Sequence, residues 1–485
     1  MKNITITFLL FFINITLIFS QKCFGQGFTF TTQQEIDEFP SKYPNWKEIE
    51  GDIVIRESQP GDILNLDSLY QIKSIKGKLD ISYNESLKNL KGLDNLESVY
   101  FLVIIGNDSL VNLKDLNKIT TIDGCLIIAN KRLENFEGLN NLKSIEAGLA
   151  ISLNESLKNL SGLDNLTRIN GRVDIGDNGN LKNFVGLENL TSFGGEVYIH
   201  GNEALNSFKG LEKLDTIGGY LNIEFNKNLN DINALNNLVF IGDDISVWGN
   251  DNLLNLKGFS HLTKVNGKFN IWLNDKLNNL EGLDNIRFID GNLAISENGS
   301  LNNLSGLENL DSINGTLRIA HNPVLEDLLS IRNLDPNSIK SYSSKYKDLG
   351  IYNNPELFIC DVKPICDFLD LNGKTMSIYD NASGCQNEFE IKERCADSTN
   401  IDFIVYPNPF TNYLEIDFRL TDIKTAEITV WDIQGRLVIQ IKKSEFDYIL
   451  NINTDNFSSG LYILRIKTEN LGTFIKKMTK VNGRR

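Results

Sequence analysis

Histidine, methionine and proline are scarce in this sequence, and acidic residues outnumber basic ones. The 485 residues include three His, three Met and nine Pro. Lys and Arg total 48 against 63 Asp and Glu, which leaves a formal net charge of −15. Phosphate backbones and anionic lipids repel a chain this acidic. We therefore predict no nucleic-acid partner and no binding to an anionic membrane surface.

Long apolar runs are confined to the N-terminus. Lys2 is followed by an apolar stretch from Ile4 to Phe19, and small residues around Gly25 precede Gln26. This pattern is typical of a signal peptide, which we place at residues 1–25. No later run reaches about 18 apolar residues, so we expect export with no transmembrane segment after the signal is removed.

One repeat makes up most of the remaining chain. From Leu149 to Ile169 it reads Leu-x-Ile-x-x-Asn-x-x-Leu-x-x-Leu-x-Gly-Leu-x-x-Leu-x-x-Ile. Its Asn recurs in steps of 23 and then 24 residues, at positions 84, 107, 130, 154, 178, 202, 226, 250, 274, 298 and 322. A fixed period of this size indicates a solenoid. We predict a mainly β fold, with a parallel β-solenoid of about 13 turns of 23–24 residues over residues 53–358.

Each repeat position has a physical role. Five and three residues before the Asn, aliphatic side chains such as Val173 and Ile175 should face the interior of a short strand, with the residues between them facing outward. The Asn tolerates a left-handed turn, its amide can bond to the backbone, and stacked copies could form an internal ladder. Eight residues after the Asn, a Gly such as Gly162 indicates positive φ or close backbone approach.

The repeat is similar to a known family. The stretches from Gly162 to Leu181 and from Gly282 to Leu301 resemble the receptor L-domain type of leucine-rich repeat. The resemblance covers residues 53–357 and implies the solenoid architecture. It implies no particular ligand, because such repeats occur in growth-factor receptors, fungal wall proteins and bacterial surface proteins.

Both ends of the solenoid carry candidate caps. In residues 26–52, Thr32 and Glu35 form a capping-box pattern that opens a short helix, which Pro40 should end. With Trp46, this helix should cover the open first turn. Residues 359–396 follow the last turn and form the candidate C-terminal cap.

Four cysteines cluster in that C-terminal cap: Cys360, Cys366, Cys385 and Cys395. An even number in an exported chain predicts two disulfides, and three connectivities remain open. A metal site is the alternative, but paired Cys-x-x-Cys spacing is missing and no His lies nearby. Cys125 occupies a buried strand position and is interpreted as a lone buried thiol.

The tail departs from the repeat. After a short polar linker at residues 397–403, residues 404–485 alternate between strand patterns and turns, which predicts a small antiparallel β-sandwich. The Tyr406-Pro407-Asn408-Pro409 opening and the closing run from Lys476 to Val481 resemble the C-terminal sorting domain of the type IX secretion system of Bacteroidetes. This resemblance implies the type IX machinery as a partner and the cell surface or the medium as the destination.

Two groups of outward positions are unusual. In-register stacking places Trp248 beside Trp272, with Glu224, His200 and Tyr198 further along the same face. These five residues are our candidate ligand site, since exposed aromatics on a rigid scaffold can bind sugars or proteins. A cross-turn aromatic pair that only stabilises the sheet is the alternative. The second group is an apolar patch, expected to be covered by the N-terminal cap or used by a partner: Val103, Ile105, Leu126 and Ile128.

No constellation for catalysis is evident. His200, His261 and His321 fall at different positions of different turns, so they cannot share a metal or serve one nucleophile. A β-helix polysaccharide-active enzyme would need charged side chains on neighbouring turns, yet Asp174 and Arg318 are six turns apart. We predict no cofactor and no metal, and an adhesin-like binding protein, not an enzyme, that recognises a protein or glycan through the strand face. A structural spacer or wall component without a specific ligand is the main alternative.

Overall fold

The computed structural model describes residues 25–341, 347–398, 404–406, 410–417, 425–443, 449–468 and 473–481. The signal peptide predicted at residues 1–25 lies outside the described residues up to position 24, as does most of the linker at 397–403. The chain divides into two compact units, Met1–Ile391 and Lys392–Arg485.

The first unit is a parallel β-solenoid. Before its first turn lie β1 (Phe28–Phe30), α1 (Gln33–Lys42) and β2 (Glu48–Ile49). Within the described residues, about fourteen turns each contribute one strand to the main wall: β3 (Ile53–Ile55), β4 (Ser74–Ser82), β5 (Ser98–Ile105), β6 (Thr121–Ile128), β7 (Ser144–Ser152), β9 (Arg172–Gly176), β11 (Val197–His200), β13 (Leu221–Glu224), β15 (Ile245–Trp248), β17 (Phe269–Trp272), β19 (Leu293–Ser296), β21 (Leu317–Ala320), β22 (Leu349–Tyr352) and β23 (Met376–Tyr379).

The residues at the start of each turn form a second wall. The long strands β4 to β7 run through both walls. In later turns the second wall is a separate two-residue strand: β8 (Arg168–Ile169), β10 (Ser192–Phe193), β12 (Thr216–Ile217), β14 (Phe240–Ile241), β16 (Lys264–Val265), β18 (Phe288–Ile289) and β20 (Ser312–Ile313). The remaining side of a turn is extended chain or one turn of 3₁₀ helix, so each coil has a compact cross-section.

The main strands pair in parallel and in register, as the period predicts. Ile175 pairs with Ile199, and Ile199 pairs with Ile223. All three are at most 2% exposed. The aliphatic side chains five and three residues before each Asn therefore form one continuous core along the unit, which supplies the burial that a single turn could not.

The repeated Asn residues form the predicted internal ladder. From Asn84 to Asn381, each amide Nδ2 donates to the Oδ1 of the next Asn at 3.0–3.4 Å. Each also donates to backbone carbonyls, as Asn202 does to Ile175 and His200 at 2.9 Å. The buried Asn side chains thus satisfy backbone groups where the strand turns.

The left-handed residue is not the Asn, contrary to one of our expectations for it. Positive φ occurs at the residue just before the Asn, for example 53° at Phe225 and 67° at Gly249. This places the Asn amide inward, beneath the strand carbonyls. The preceding side chain turns outward, and so residues such as Phe225 belong to the outer face.

The Gly eight residues after the Asn shows both expected features. Gly162 has φ +107, and a Cβ there would overlap the carbonyl group of Phe136 in the previous turn. Where Asp115, Ala234 or Ser330 replaces this Gly, the corner is a 3₁₀ helix, as it also is at Gly258 and at the first turn. The 3₁₀ turn is a second way to pass the same corner without positive φ.

The N-terminal cap closes the first turn. The capping box of Thr32 and Glu35 is present at the start of α1. The prediction that Pro40 ends the helix is wrong, because α1 continues to Lys42. A proline in the last turn removes only one backbone hydrogen bond there. Aromatic packing around Phe28, including Trp46 at 5.1 Å, holds the segment while β1 pairs with β3.

The C-terminal cap contains one turn more than the sequence count. Between α2 (Lys363–Leu369) and α3 (Glu388–Ser398), β23 pairs with β22, and Asn381 ends the ladder. The predicted disulfides are present: Cys360 is bonded to Cys385, and Cys366 and Cys395 are both disulfide-bonded. Cys125 is a buried thiol, and burial raises its pKa to about 12.

The second unit is the predicted antiparallel β-sandwich. One sheet contains β24 (Ile404–Tyr406), β25 (Tyr413–Asp417) and β28 (Ile449–Asn453). The other contains β26 (Ala426–Asp432), β27 (Leu437–Lys443), β29 (Gly460–Thr468) and β30 (Thr473–Lys480). Residues of both sheets, among them Ile416, Ile428 and Leu464, share one buried core.

Candidate functional site

Parallel register brings the five candidate residues onto one face. His200 pairs with Glu224, Glu224 with Trp248, and Trp248 with Trp272, while Tyr198 lies two residues before His200 on β11. Four consecutive strands therefore carry all five. These residues and their contacts form a set that we call the outer strip: Arg172, Asp174, Tyr198, His200, Glu224, Phe225, Trp248 and Trp272.

The aromatic end of the outer strip is a stack. The rings of Trp248 and Trp272 are stacked with centroids 4.9 Å apart and planes at 25°. Phe225, 46% exposed, packs edge-on against Trp248 with centroids 4.2 Å apart. Trp248 is thus enclosed on both sides, whereas the neighbour of Trp272 on the next strand is the small Ser296. A ring face of Trp272 is the aromatic surface that this end can offer to a ligand.

The polar end is organised around the buried carboxylate of Asp174. Its Oδ1 lies 3.0 Å from His200 Nε2, and its Oδ2 accepts from Arg172 at 3.1 Å. The Arg172 guanidinium also lies 4.0 Å from the Tyr198 ring centroid, in a cation–π contact. Gly176 makes room for this arrangement, because a Cβ there would overlap the His200 imidazole. A carboxylate, an imidazole, a guanidinium and a tyrosine ring thus meet across two neighbouring strands.

Burial and charge shift the protonation of this polar end. Burial alone would lower the pKa of His200, but the hydrogen bond and charge of Asp174, with the charges of Asp177 and Glu224, raise it. Burial raises the pKa of Glu224, which His200 and hydrogen bonds from Asn222 and Trp248 partly offset. The imidazole is therefore charged at higher pH than in a free peptide, and Glu224 links the polar end to the tryptophans.

Two polar atoms of this face are unsatisfied within the described part of the chain. Trp272 Nε1 and Asn222 Oδ1 are both buried, and neither has a hydrogen-bond partner there. A buried donor or acceptor without a partner costs free energy, and native proteins keep few of them.

Sequence reasoning missed part of this site. Asp174 was placed on the outer face, but its contacts with His200 and Arg172 were not foreseen, because the two columns of outward positions were compared separately. Arg172 precedes the strand alternation, and its long side chain reaches back over Asp174 and Tyr198. Phe225 was missed because its positive φ was assigned to the neighbouring Asn.

The apolar patch is buried. Val103, Leu126 and Ile128 are 5–8% exposed and form a cluster with Phe101 and Ala150, with Ile105 packed against it. The contacts of the cap elements α1, β1 and β2 fall on the first turns, at β3, β4 and the 3₁₀ turn Asp67–Leu69. The patch therefore behaves as a satellite core and contributes nothing to the outer strip.

A shallow depression of about 400 Å³ lies on the N-terminal cap. Its lining consists of Gln26, Asn45, Trp46, Lys47, Glu48 and Glu50. It opens widely to solvent and lies at the N-terminal end of the unit. Nine strands of the main wall precede the strand of Trp272, so the depression is separate from the outer strip. Among the described residues, no three His, Cys, Asp or Glu side chains come together as a metal site.

Comparison with known families supports the two resemblances. Residues 261–371 match the receptor L domain family, and residues 404–481 match the secretion system C-terminal sorting domain. A search of curated proteins found no match to the chain. Across the residues that the structure describes, no helix is long and apolar enough to cross a membrane.

These matches identify two domains in the chain. The chain carries a type IX sorting domain behind a solenoid whose later turns match a receptor L domain. The sorting domain indicates handling by the secretion machinery and export to the cell surface or the medium.

Proposed function

We propose that this exported protein is a non-enzymatic, adhesin-like binding protein that recognises a glycan or protein through the outer face of its solenoid. The observation that supports this best is the outer strip itself. Ionic, hydrogen-bonding and aromatic groups run without interruption from Arg172 to Trp272 on a scaffold whose interior hardly changes between turns. A surface that only had to stay soluble would not need buried charge beside stacked tryptophans.

Rigidity is the second support for binding. The strand backbone beneath the strip is held by the Asn ladder and by parallel pairing on both sides. Side chains on such a wall lose little further freedom when a ligand binds, which favours affinity. The contact surface is therefore preorganised.

The test is to replace Trp248 and Trp272 with Ala and to measure binding on a glycan array and a panel of extracellular host proteins. The matched control is Tyr70→Ala, because Tyr70 is 55% exposed and lies outside the strip. We expect the tryptophan variant to lose binding that the control keeps, with unchanged circular dichroism. Unchanged binding by the folded double variant would show that the site is wrong.

A structural spacer without a specific ligand is the second candidate. It is favoured by the stacking of Trp248 on Trp272, because rings that face each other stabilise the sheet and present mainly their edges outward. A spacer would show no saturable binding on either panel, and the tryptophan variant would lose only stability.

A polysaccharide-active enzyme needs charged side chains on neighbouring turns, and Arg172, Asp174 and His200 meet this requirement. Turnover of a polysaccharide by the purified protein, lost in His200→Gln, would replace the binding proposal with that enzyme.

A further inference from the structure

A second aromatic pair continues the row that contains the two tryptophans. The positions two residues before the ladder Asn run from Trp272 through Ser296, Ala320 and Tyr352 to Tyr379, each paired in register with the next. The rings of Tyr352 and Tyr379 are stacked, with centroids 4.8 Å apart and planes at 8°. The same arrangement therefore occurs twice along one row.

The second pair also has polar and cationic neighbours. The Arg318 guanidinium lies 5.4 Å from the Tyr352 ring centroid, and His321 packs edge-on against that ring at 5.6 Å. Tyr379 is 44% exposed. Gly350 lies beneath the Tyr352 ring, which therefore leans across its own strand. The exposed Tyr379 ring and the polar groups around Tyr352 together form a surface suited to a hydroxyl-rich ligand.

The interval between the two pairs is short and lined by small residues. Trp272 and Tyr352 are three strand steps apart, which is about 14 Å at ~4.8 Å per step. Only Ser296 and Ala320 occupy the row between them. Ser296 and Ala320 are 4% and 0% exposed, and Arg318 and His321 lie against Tyr352 from the turn before it. Neighbouring side chains therefore cover the row between the two pairs.

We propose that this row is one extended site for a linear, uncharged polysaccharide lying along the solenoid, with an aromatic pair at each end. The proposal rests on the proposed binding function and names its ligand class. Sugar rings would pack their C–H faces on Trp272 at one end and on the exposed ring of Tyr379 at the other. Their hydroxyl groups would bond to Glu224 at one end and to Arg318 and His321 at the other.

Backbone pairing argues for a sugar chain and against an extended peptide. The strands beneath the row use their N–H and C=O groups in bonds to the turns on either side. A peptide that binds by strand addition needs an open sheet edge, and a wall of paired strands offers none on its face. One turn also advances the wall by a distance close to that of one sugar in an extended chain.

Charge argues for an uncharged chain. The protein has a net charge of −15, and the carboxylates of Asp174 and Glu224 lie at the tryptophan end of the row. A polyuronate would bring many negative charges within a Debye length of about 8 Å. Repulsion of this kind disfavours acidic chains at the tryptophan end of the site.

The experiment measures binding of the purified protein to cello-oligosaccharides, N-acetylated chito-oligosaccharides and oligogalacturonides of two to eight units by calorimetry. We expect affinity for an uncharged series to rise by about tenfold or more once a chain is long enough to reach both pairs. Tyr352→Ala with Tyr379→Ala should remove that rise and leave the affinity for dimers and trimers unchanged. Tyr352→Phe with Tyr379→Phe keeps the rings and should keep most of the rise.

The outcomes distinguish the extended polysaccharide site from the proposed binding function on which it rests. If the tryptophan variant loses binding while the tyrosine variant does not, or affinity is independent of chain length, the extended site is wrong and the binding function stands. Preference for oligogalacturonides overturns the uncharged ligand class. If none of the three series binds while an array or host-protein ligand does, the ligand class alone fails; if nothing binds at all, both proposals fail.

Discussion

The inner and outer positions of the same strands follow opposite rules. Inward, Ile151, Ile175, Ile199 and Ile223 repeat one residue type and are at most 2% exposed. Outward, the row beside them changes at every step but the last: Ser152, Gly176, His200, Glu224, Trp248 and Trp272. Each inner residue packs on copies of itself, so one choice is repeated along the unit. Packing on identical copies does not restrict the residue types of the outer row, so functional side chains can differ from turn to turn there.

The largest expected effect comes from breaking the inner ladder with Asn202→Ala. The change removes the acceptor of the Asn178 backbone N–H, which donates to Asn202 Oδ1 at 3.1 Å, and the amide donor to the Ile175 carbonyl. Buried groups without partners cost about 1–3 kcal/mol each, so we expect the two together to lower the free energy of unfolding in urea by about 2–6 kcal/mol. Asn180→Ala, which removes an exposed bond to Glu155, is the control and should change it little.

The next effect should come from Gly162→Ala at the corner. The left-handed φ and the overlap with Phe136 both penalise a Cβ. We expect about 2–4 kcal/mol of destabilisation by urea unfolding. Gly179→Ala is the matched control, because a Cβ there meets nothing within 4 Å. Equal effects at the two glycines would show that the corner geometry is not needed.

A smaller effect on stability is expected from Gly176→Ala on the outer row. Its Cβ would displace only the end of the His200 side chain, which can rotate away from Asp174. We expect less than about 2 kcal/mol lost, because the backbone need not move. If the polar end takes part in binding, affinity should fall more than stability does. Comparing calorimetric binding with urea unfolding on the same variant distinguishes the two.

The smallest effect is the pH dependence contributed by His200. Its pKa is raised in the folded state, so its contribution to stability is fully present below the ordinary value of 6.5 and is lost as pH rises through the folded value. His200→Gln should therefore flatten the decline in unfolding free energy above pH 6.5. Arg172, Asp174, Asp177 and Glu224 face the imidazole, and these charged groups are unchanged in the variant. A variant that declines as steeply as the wild type would contradict the assignment.

Much of the solenoid was predictable because the same residue pattern recurs in nearly every turn. The strand register, the buried Ile and Leu positions, the Asn ladder and the corner Gly all follow from the 24-residue period. The last turn was missed because β23 and Asn381 lie in a region where cysteines and a new spacing hide the pattern. The position of the left-handed residue was misassigned, since Asn is itself a common left-handed residue.

The outer site was predictable only in part. Period alone made Trp248 and Trp272 neighbours, because the register of stacked strands leaves no other arrangement. The contacts of Arg172 with Asp174 and Tyr198 depend on how long side chains bend over the wall, which spacing does not determine. The pairing of Tyr352 with Tyr379 needed the extra turn to be found first.

By itself, the sequence determined the coil, its direction of stacking and its route out of the cell, because each of these depends on short patterns that act locally or on copies of themselves. Only the tertiary structure decided which outward side chains meet. Those contacts join residues about 24 or more positions apart whose identities follow no repeat, and their geometry arises only after the common core has set every strand in place.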